Sequence, residues 1–387
     1  MKIGVLTGGG DVPGLNLAIK SLTMATTKAG HEVVGIRRGW RGLVAASAER
    51  GADNSAHMRP LSIEDVRHID RTGGTVLHSS RTNPSKMREK EMPEHLKSEG
   101  MEYPADVTPH VLAVLEAMEI DALVAIGGDD TLSYAARLDR EGFPTVAIPK
   151  TMDNDVNGTD YCIGFSTALT RTVQFVHDLR TSTGSHERIA VIELFGRNAG
   201  WTALFSAFLS GSDRCVIPEV PFDINRLAEL LVEDKANNPS NYAVLLVSEG
   251  AVMEGGEIIE SGEPDAYGHK KLGGIGDITA SELKRITGQN MLIQPVRYLM
   301  RCGSPDSLDR MVGTTFGNMA FDLIMKKDTG KMVAVVNGVY SAVPAQMAVA
   351  GVKPLDLERL YFAERYRPNF RNLMGMPLFL SSSPEIG

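Results

Sequence analysis

Lys150, Asp153 and Asp155 stand together in PKTMDND (Pro149–Asp155), directly after the apolar run TVAIP. An ionised aspartate can take a proton from a hydroxyl, and an ammonium can offset charge on a transferring anion. The same residues are also those of an ordinary polar Asx turn. A second stretch, AIGGDDTLSYAARL (Ala125–Leu138), runs from an apolar strand through two glycines into a helix pattern. Free N–H groups and the helix dipole at such a turn attract a phosphate. It carries two adjacent acids, Asp129 and Asp130. One acid beside a phosphate can hold Mg²⁺, so the second asks for its own explanation.

Further candidates lie at other strand ends. TGGGDVPGLN (Thr7–Asn16) is either a phosphate loop or a tight strand-to-helix turn; it lacks GxxxxGK[ST], and GxGxxG spacing fails at Pro13. Arg188 and Arg197 flank IAVIELFG, Glu249 ends YAVLLVS, and Tyr298 and Arg301 fall in VRYLMRCGSP at the end of another predicted strand. Guanidinium forks match phosphate oxygens, and a glutamate can accept from sugar hydroxyls. Each residue taken singly has an equally good structural reading.

The elements that must position these groups alternate along the chain. Strands are predicted for KIGVLT, EVVGIR, ALVAIG, TVAIP, RIAVIEL, RCVIPEV, YAVLLVS, MLIQPVRYL and MVAVVNG. Several are continuous apolar runs, as in parallel strands covered on both faces. Helical patterns lie between them, such as LNLAIKSLTMATTKAG, and DINRLAELLVEDKANN with Asp223 as N-cap. The fold class is α/β, doubly wound with mainly parallel sheets, and ligands of such sheets bind beyond the carboxyl ends of the strands. Arg81–Asp106, with three prolines, reads as surface loop and short helix, and Met253–Gly274 as a mobile excursion.

The 387 residues suffice for two domains. A net charge of −8 gives no case for nucleic acid or a membrane surface, so an anionic substrate needs a local basic cluster. Three scattered cysteines form no CxxC pair and read as buried thiols in a reducing cytoplasm. The nine histidines show no metal spacing. MKIGVLTGGG has no long apolar region of a signal peptide, and no apolar run approaches the ~20 residues of a membrane span.

Together the motifs resemble the phosphofructokinase family. TGGGDVPGLN is similar to its GGDxPGxN loop, GGTVLHSSR (Gly73–Arg81) to GGTxLGSxR, GGDDT to GGDG(S/T), and PKTMDND to P(G/K)TxDND; Ile163–Glu219 follows its central segment. The resemblance covers roughly the first 320 residues. It implies two doubly wound domains with the active site in the cleft between them. Residues 1–164 plus about 300–345 would bind the phosphoryl donor, about 165–299 the sugar phosphate, and 346–387 would form a C-terminal helix and tail. It implies that Asp153 is the base for the sugar 1-hydroxyl, Asp129 a Mg²⁺ ligand, Asp155 a support of the geometry, and Thr151 a contact of the transferring group. Gly10, Arg81, Asp130 and Thr131 fall to the donor. Gly196, Arg197 and Glu249 would bind the fructose ring. Arg188, lent by a neighbouring subunit of a homodimer or homotetramer, would bind the 6-phosphate with Tyr298 and Arg301. RYLMRCG departs from the GHxQRGG of many ATP-using members, and an upstream 6-phosphate arginine is replaced near Leu292.

The resemblance also accounts for the double aspartate. ATP-using members carry glycine where this chain has Asp130, which leaves room for the α-phosphate. Two unit charges ~4 Å apart repel by about 4 kcal/mol at an effective dielectric near 20, so a carboxylate there disfavours ATP. Pyrophosphate ends before that point. Asp130 with Lys150 matches the pyrophosphate-dependent branch. The expected reaction is pyrophosphate plus fructose 6-phosphate giving fructose 1,6-bisphosphate plus phosphate, reversibly, with Mg²⁺, in the cytoplasm. The alternatives are an ATP-dependent enzyme, one that also takes sedoheptulose 7-phosphate, or a silent sugar-phosphate sensor; the last would be expected to lose Asp129 or Asp153, and both are present.

Overall fold

Five of the apolar runs lie side by side as parallel strands. In spatial order they are Lys331–Val336, Thr145–Pro149, Ala122–Gly127, Lys2–Thr7 and Glu32–Ile36. The computed structural model describes residues 1–380. Every residue of Ala122–Gly127 and Thr145–Pro149 is buried, because helices cover both faces. Two antiparallel edge strands, Val339–Pro344 and Met58–Leu61, complete a seven-stranded sheet. Neither edge strand is among those predicted. Met58–Leu61 is short and holds Pro60, tolerable only at an edge. Val339–Pro344 follows the Asn337–Gly338 turn, whose two positive φ values of 51° and 79° make a tight hairpin. That Asn-Gly pair was a readable signal.

A second sheet is wholly parallel: Met291–Pro295, Ile189–Leu194, Ala243–Ser248 and Arg214–Val216. The RCVIPEV strand stops at Val216, two residues before Pro218. The strand predicted for MLIQPVRYL ends at Pro295, where Val296 turns into helical φ,ψ and Arg297–Arg301 forms a 3₁₀ turn. Tyr298 and Arg301 thus stand on a turn beyond the strand rather than on its last residues.

The 21-residue helix Phe165–Ser185 starts beside the larger sheet and packs on the smaller one. Asp309 fixes its start. Its carboxylate accepts from the N–H of Gly164 (2.7 Å) and Thr167 (2.9 Å) and from the hydroxyls of Thr167 (2.5 Å) and Tyr161 (2.7 Å). One apolar core runs through both sheets, from Ile3 and Val124 to Val191 and Leu245.

The expected C-terminal helix is a single turn, Leu357–Leu360, capped by Asp356, followed by a ribbon of Tyr361–Phe362 with Arg367–Pro368. The turn ends where Tyr361 takes extended φ,ψ (−135°, 135°) and enters the ribbon. Residues 381–387 of that tail lie outside the described residues. Cys162 and Cys215 are buried as expected, but Cys302 is exposed, because its turn lies at the surface.

Candidate active site

In the larger sheet, Lys2–Thr7 has Ala122–Gly127 on one side and Glu32–Ile36 on the other. Strand order reverses there, which opens a crevice beyond the carboxyl ends. The turns leaving these strands meet the turns leaving the smaller sheet in one cleft of about 350 Å³. A larger open basin of about 1090 Å³ lies against the tail around Arg359, Arg371 and Met376. None of the candidate site residues lines that basin, so the chemistry belongs to the cleft.

On the larger-sheet wall, Gly8 donates to the Ile126 carbonyl (2.9 Å) and Gly9 to the Ser80 carbonyl (3.0 Å). Gly9 has φ +76°, and a Cβ there would lie 3.1 Å from the Lys150 Nζ. The positive φ favours glycine there, and a larger residue would also press on the lysine's tip. The Lys150 ammonium therefore lies over the glycine turn. Burial lowers its pKa to about 8, helped by the cations Arg301 and Arg81, while Asp129 and Asp11 oppose. Asp129 and Asp130 occupy the first turn of helix Asp129–Arg140, where the dipole favours negative charge. Burial and the Asp129 charge raise the Asp130 carboxyl to about 6. Its Oδ2 is 3.3 Å from His269 Nε2.

The PKTMDND loop is held from three sides. Asn154, buried at φ 53°, donates to the Asp160 carbonyl (3.1 Å) and accepts from Cys162 N–H (2.9 Å). Thr202 Oγ1 donates to the Met152 carbonyl (2.8 Å). Lys353 N–H donates to the Asp155 carbonyl (2.9 Å). Thr151 Oγ1 accepts from Asp153 N–H (3.1 Å). Asp153 faces the cleft half-buried, and its Oδ1 has no hydrogen-bond partner among the described residues. Burial and the Glu249 charge raise its carboxyl to about 7. Burial and the charges of Asp153 and Asp129 push Asp155 up as well.

On the opposite wall, burial raises Glu249 to about 7 against the pull of Arg197 and Arg297. Arg297 pairs with the buried Glu193, whose carboxylate also accepts from Gly274 and Gly276 N–H. The Arg301 guanidinium lies 4.7 Å from the Tyr298 ring centroid and 3.5 Å from Asp11. Five cations, Arg81, Lys150, Arg197, Arg297 and Arg301, line this cleft of an acidic chain. Carboxylates crowded to high pKa beside a cluster of cations form a site for proton transfer next to polyanions.

Thirteen of the predicted site residues line the cleft: Gly10, Arg81, Asp129, Asp130, Thr131, Lys150, Thr151, Asp153, Asp155, Arg197, Glu249, Tyr298 and Arg301. Gly196 lies just behind the lining; at φ +136° a Cβ would strike Ser248 Oγ. Arg188 is elsewhere, in a separate hollow with Lys284 and Asn290. Leu292 does not line the cleft and packs on the core. Sequence reasoning missed Arg297, although it stands beside Tyr298 in a quoted motif. It also missed Asp265, Tyr267 and His269, which the Met253–Gly274 excursion carries into the cleft. Among the described residues no three His, Cys, Asp or Glu side chains form a metal cage.

Residues 2–324 match the family model described as "Phosphofructokinase". The chain is 38% identical over 366 residues to a pyrophosphate--fructose 6-phosphate 1-phosphotransferase of Amycolatopsis methanolica, covering 94% of this chain and 99% of that one. It is 34% identical over 366 residues to an ATP-dependent 6-phosphofructokinase of Corynebacterium efficiens, covering 94% and 98%. A solved pyrophosphate-dependent phosphofructokinase from Nitrosospira multiformis shares the fold, with TM-score 0.74 at 17% identity over 95% of this chain and 88% of that one.

Proposed function

The chain belongs to the phosphofructokinase family, and on that premise we propose that it moves a phosphoryl group from pyrophosphate to the 1-hydroxyl of fructose 6-phosphate. The products are fructose 1,6-bisphosphate and phosphate. The reaction runs in both directions, since a phosphoanhydride is exchanged for a phosphomonoester without the larger driving force of ATP. The observation that carries the donor assignment is Asp130, a carboxylate inside the cleft beside Asp129, with His269 Nε2 3.3 Å from its Oδ2. A nucleotide's α-phosphate would meet that carboxylate, and a bare diphosphate ends before it.

Asp153 accepts the proton of the 1-hydroxyl as that oxygen attacks the near phosphorus of pyrophosphate. The bond from this phosphorus to the bridging oxygen breaks in line, and phosphate leaves. Lys150, over the glycine turn, offsets charge on the transferring group and the leaving oxygen. Thr151 donates to the same group, and Asp155 keeps the loop in place. The Gly10 backbone, Thr131 and Arg81 bind the donor. Glu249, Arg197 and Gly196 bind the sugar ring, while Tyr298 and Arg301 face its 6-phosphate. Arg188 serves the same phosphate in a neighbouring subunit of a homodimer or homotetramer, a role its place outside its own cleft supports.

The carboxylates at the N-terminus of helix Asp129–Arg140 are hard oxygen donors. Mg²⁺ takes one or two carboxylates and fills its other positions with water and substrate phosphate, so the lack of a three-residue cage fits a metal that arrives on the donor. Asp129 would hold it, and it would supply charge neutralisation on the phosphates. No helix among the described residues is long and apolar enough to cross a membrane, and we place the enzyme in the cytoplasm. The test is turnover of fructose 6-phosphate with Mg·pyrophosphate and with Mg·ATP at equal concentrations. Pyrophosphate should be the faster donor; faster turnover with ATP refutes the assignment in favour of the ATP-dependent reading.

A further inference from the structure

The cleft has a neighbour. Behind Arg81 a second hollow of about 540 Å³ opens among Arg41, Val44, Thr82, Arg88 and Glu91. Among the described residues, the linings of the two spaces share only Arg81 and Asp265. These two form an ion pair, Nη1 to Oδ2 at 2.9 Å. What separates the spaces is therefore that pair and the turn that carries Asp265.

The turn is closed on itself. Asp265 Oδ1 accepts from the N–H groups of Tyr267 and His269, both at 3.0 Å, and Asp265 N–H donates to the His269 carbonyl at 2.9 Å. It is also tied to the far wall. Tyr267 OH donates to the Thr82 carbonyl (3.0 Å), and Arg88 Nη1 donates to the Pro264 carbonyl (2.7 Å). His269 reaches Asp130. Residues between the Ala243–Ser248 and Met291–Pro295 strands of the smaller sheet thus bridge to four points on the larger-sheet half, Arg81, Thr82, Arg88 and Asp130. Past Asp130 the cleft meets this turn, and the second hollow lies beyond it, so a nucleoside that extends a phosphate chain on that side meets the turn.

We propose that the Pro264–His269 turn is a specificity-determining partition, which seals the donor site on the side where a nucleoside would leave it. Donor choice is then made by Asp130 together with Asp265 and Tyr267. The inference rests on the pyrophosphate reading above. Both conditions must be met before ATP fits: the repelling carboxylate removed and the wall opened.

The test compares kcat/KM for Mg·ATP with kcat/KM for Mg·pyrophosphate in the full chain. The proteins are wild type, Asp130→Gly, the pair Asp265→Ala/Tyr267→Ala, and the triple variant. The ratio within one preparation cancels differences in active fraction. The triple variant should exceed Asp130→Gly in its ATP-to-pyrophosphate ratio by about tenfold or more, the scale of a steric barrier in a binding pocket. Should the alanine pair fail to fold, Tyr267→Phe on the Asp130→Gly background removes the anchor to Thr82 alone and should raise the ratio by about threefold. Equal ratios with and without the wall, in a protein whose wild type prefers pyrophosphate, overturn the partition alone. A wild type that prefers ATP overturns the donor reading and the partition with it.

Discussion

Replacing Asp153 by asparagine keeps the side chain's size and removes its ability to accept a proton. Its carboxyl stands at about 7 against an ordinary 3.8, because it is buried and faces Glu249. At ~1.4 kcal/mol per pH unit, full ionisation would cost the folded state up to about 4 kcal/mol. One side of the residue faces the open cleft. Solvent there relieves much of this, and the recoverable part is about 1 kcal/mol. The sign is fixed by the direction of the shift: the folded state holds the proton more tightly than the unfolded chain. The cost is therefore absent below about pH 4, grows as pH rises towards 7, and is constant above. Asp153→Asn should match the wild type in melting temperature near pH 4 and exceed it at pH 8. In catalysis it should lose roughly 10²–10⁴ in kcat with a modest change in KM. The wild-type kcat/KM should rise about fivefold from pH 6 to pH 7 as Asp153 loses its proton, and that limb should flatten in the variant, leaving the ionisations of Glu249, Asp130 and the substrates. Retained kcat refutes the assignment of the base. Loss of activity together with loss of stability at pH 8 shows instead that the carboxylate is structural.

Lys150→Met should lower kcat with pyrophosphate by roughly 10²-fold or more. The wild type should lose kcat/KM above about pH 8, where the lowered Lys150 deprotonates, and the variant should lack that fall; an unchanged alkaline limb assigns it to another group. Arg297→Met strips the buried Glu193 of its cation and should destabilise the fold by about 3 kcal/mol, read by urea denaturation. Glu193→Gln on that background should restore most of the loss, since the amide oxygen still accepts from Gly274 and Gly276; no rescue means the pair is not the cause.

Much of the site could be read from the chain because its groups follow strands directly. A residue after a parallel strand stands at the sheet's carboxyl edge whatever the rest of the molecule does, so Gly10, Asp129, Lys150 and Glu249 could be placed by pattern alone. The tight glycine turns were legible for the same local reason. The edge strand Met58–Leu61 was not, since it is only four residues long and carries no periodic signal. Nor could any spacing show that His269 meets Asp130, or that Asp265 meets Arg81, because those contacts join segments that only the packing of one sheet against the other brings together.

The sequence by itself determined the strand-end loops and the acids and cations available to them, because both are local properties of the chain. Only the packed fold sets which carboxyls are pushed towards neutral pH and which carboxylate each arginine of the cleft meets. Those depend on burial, and on charges arriving from distant segments, and neither exists until the two sheets close on one cleft.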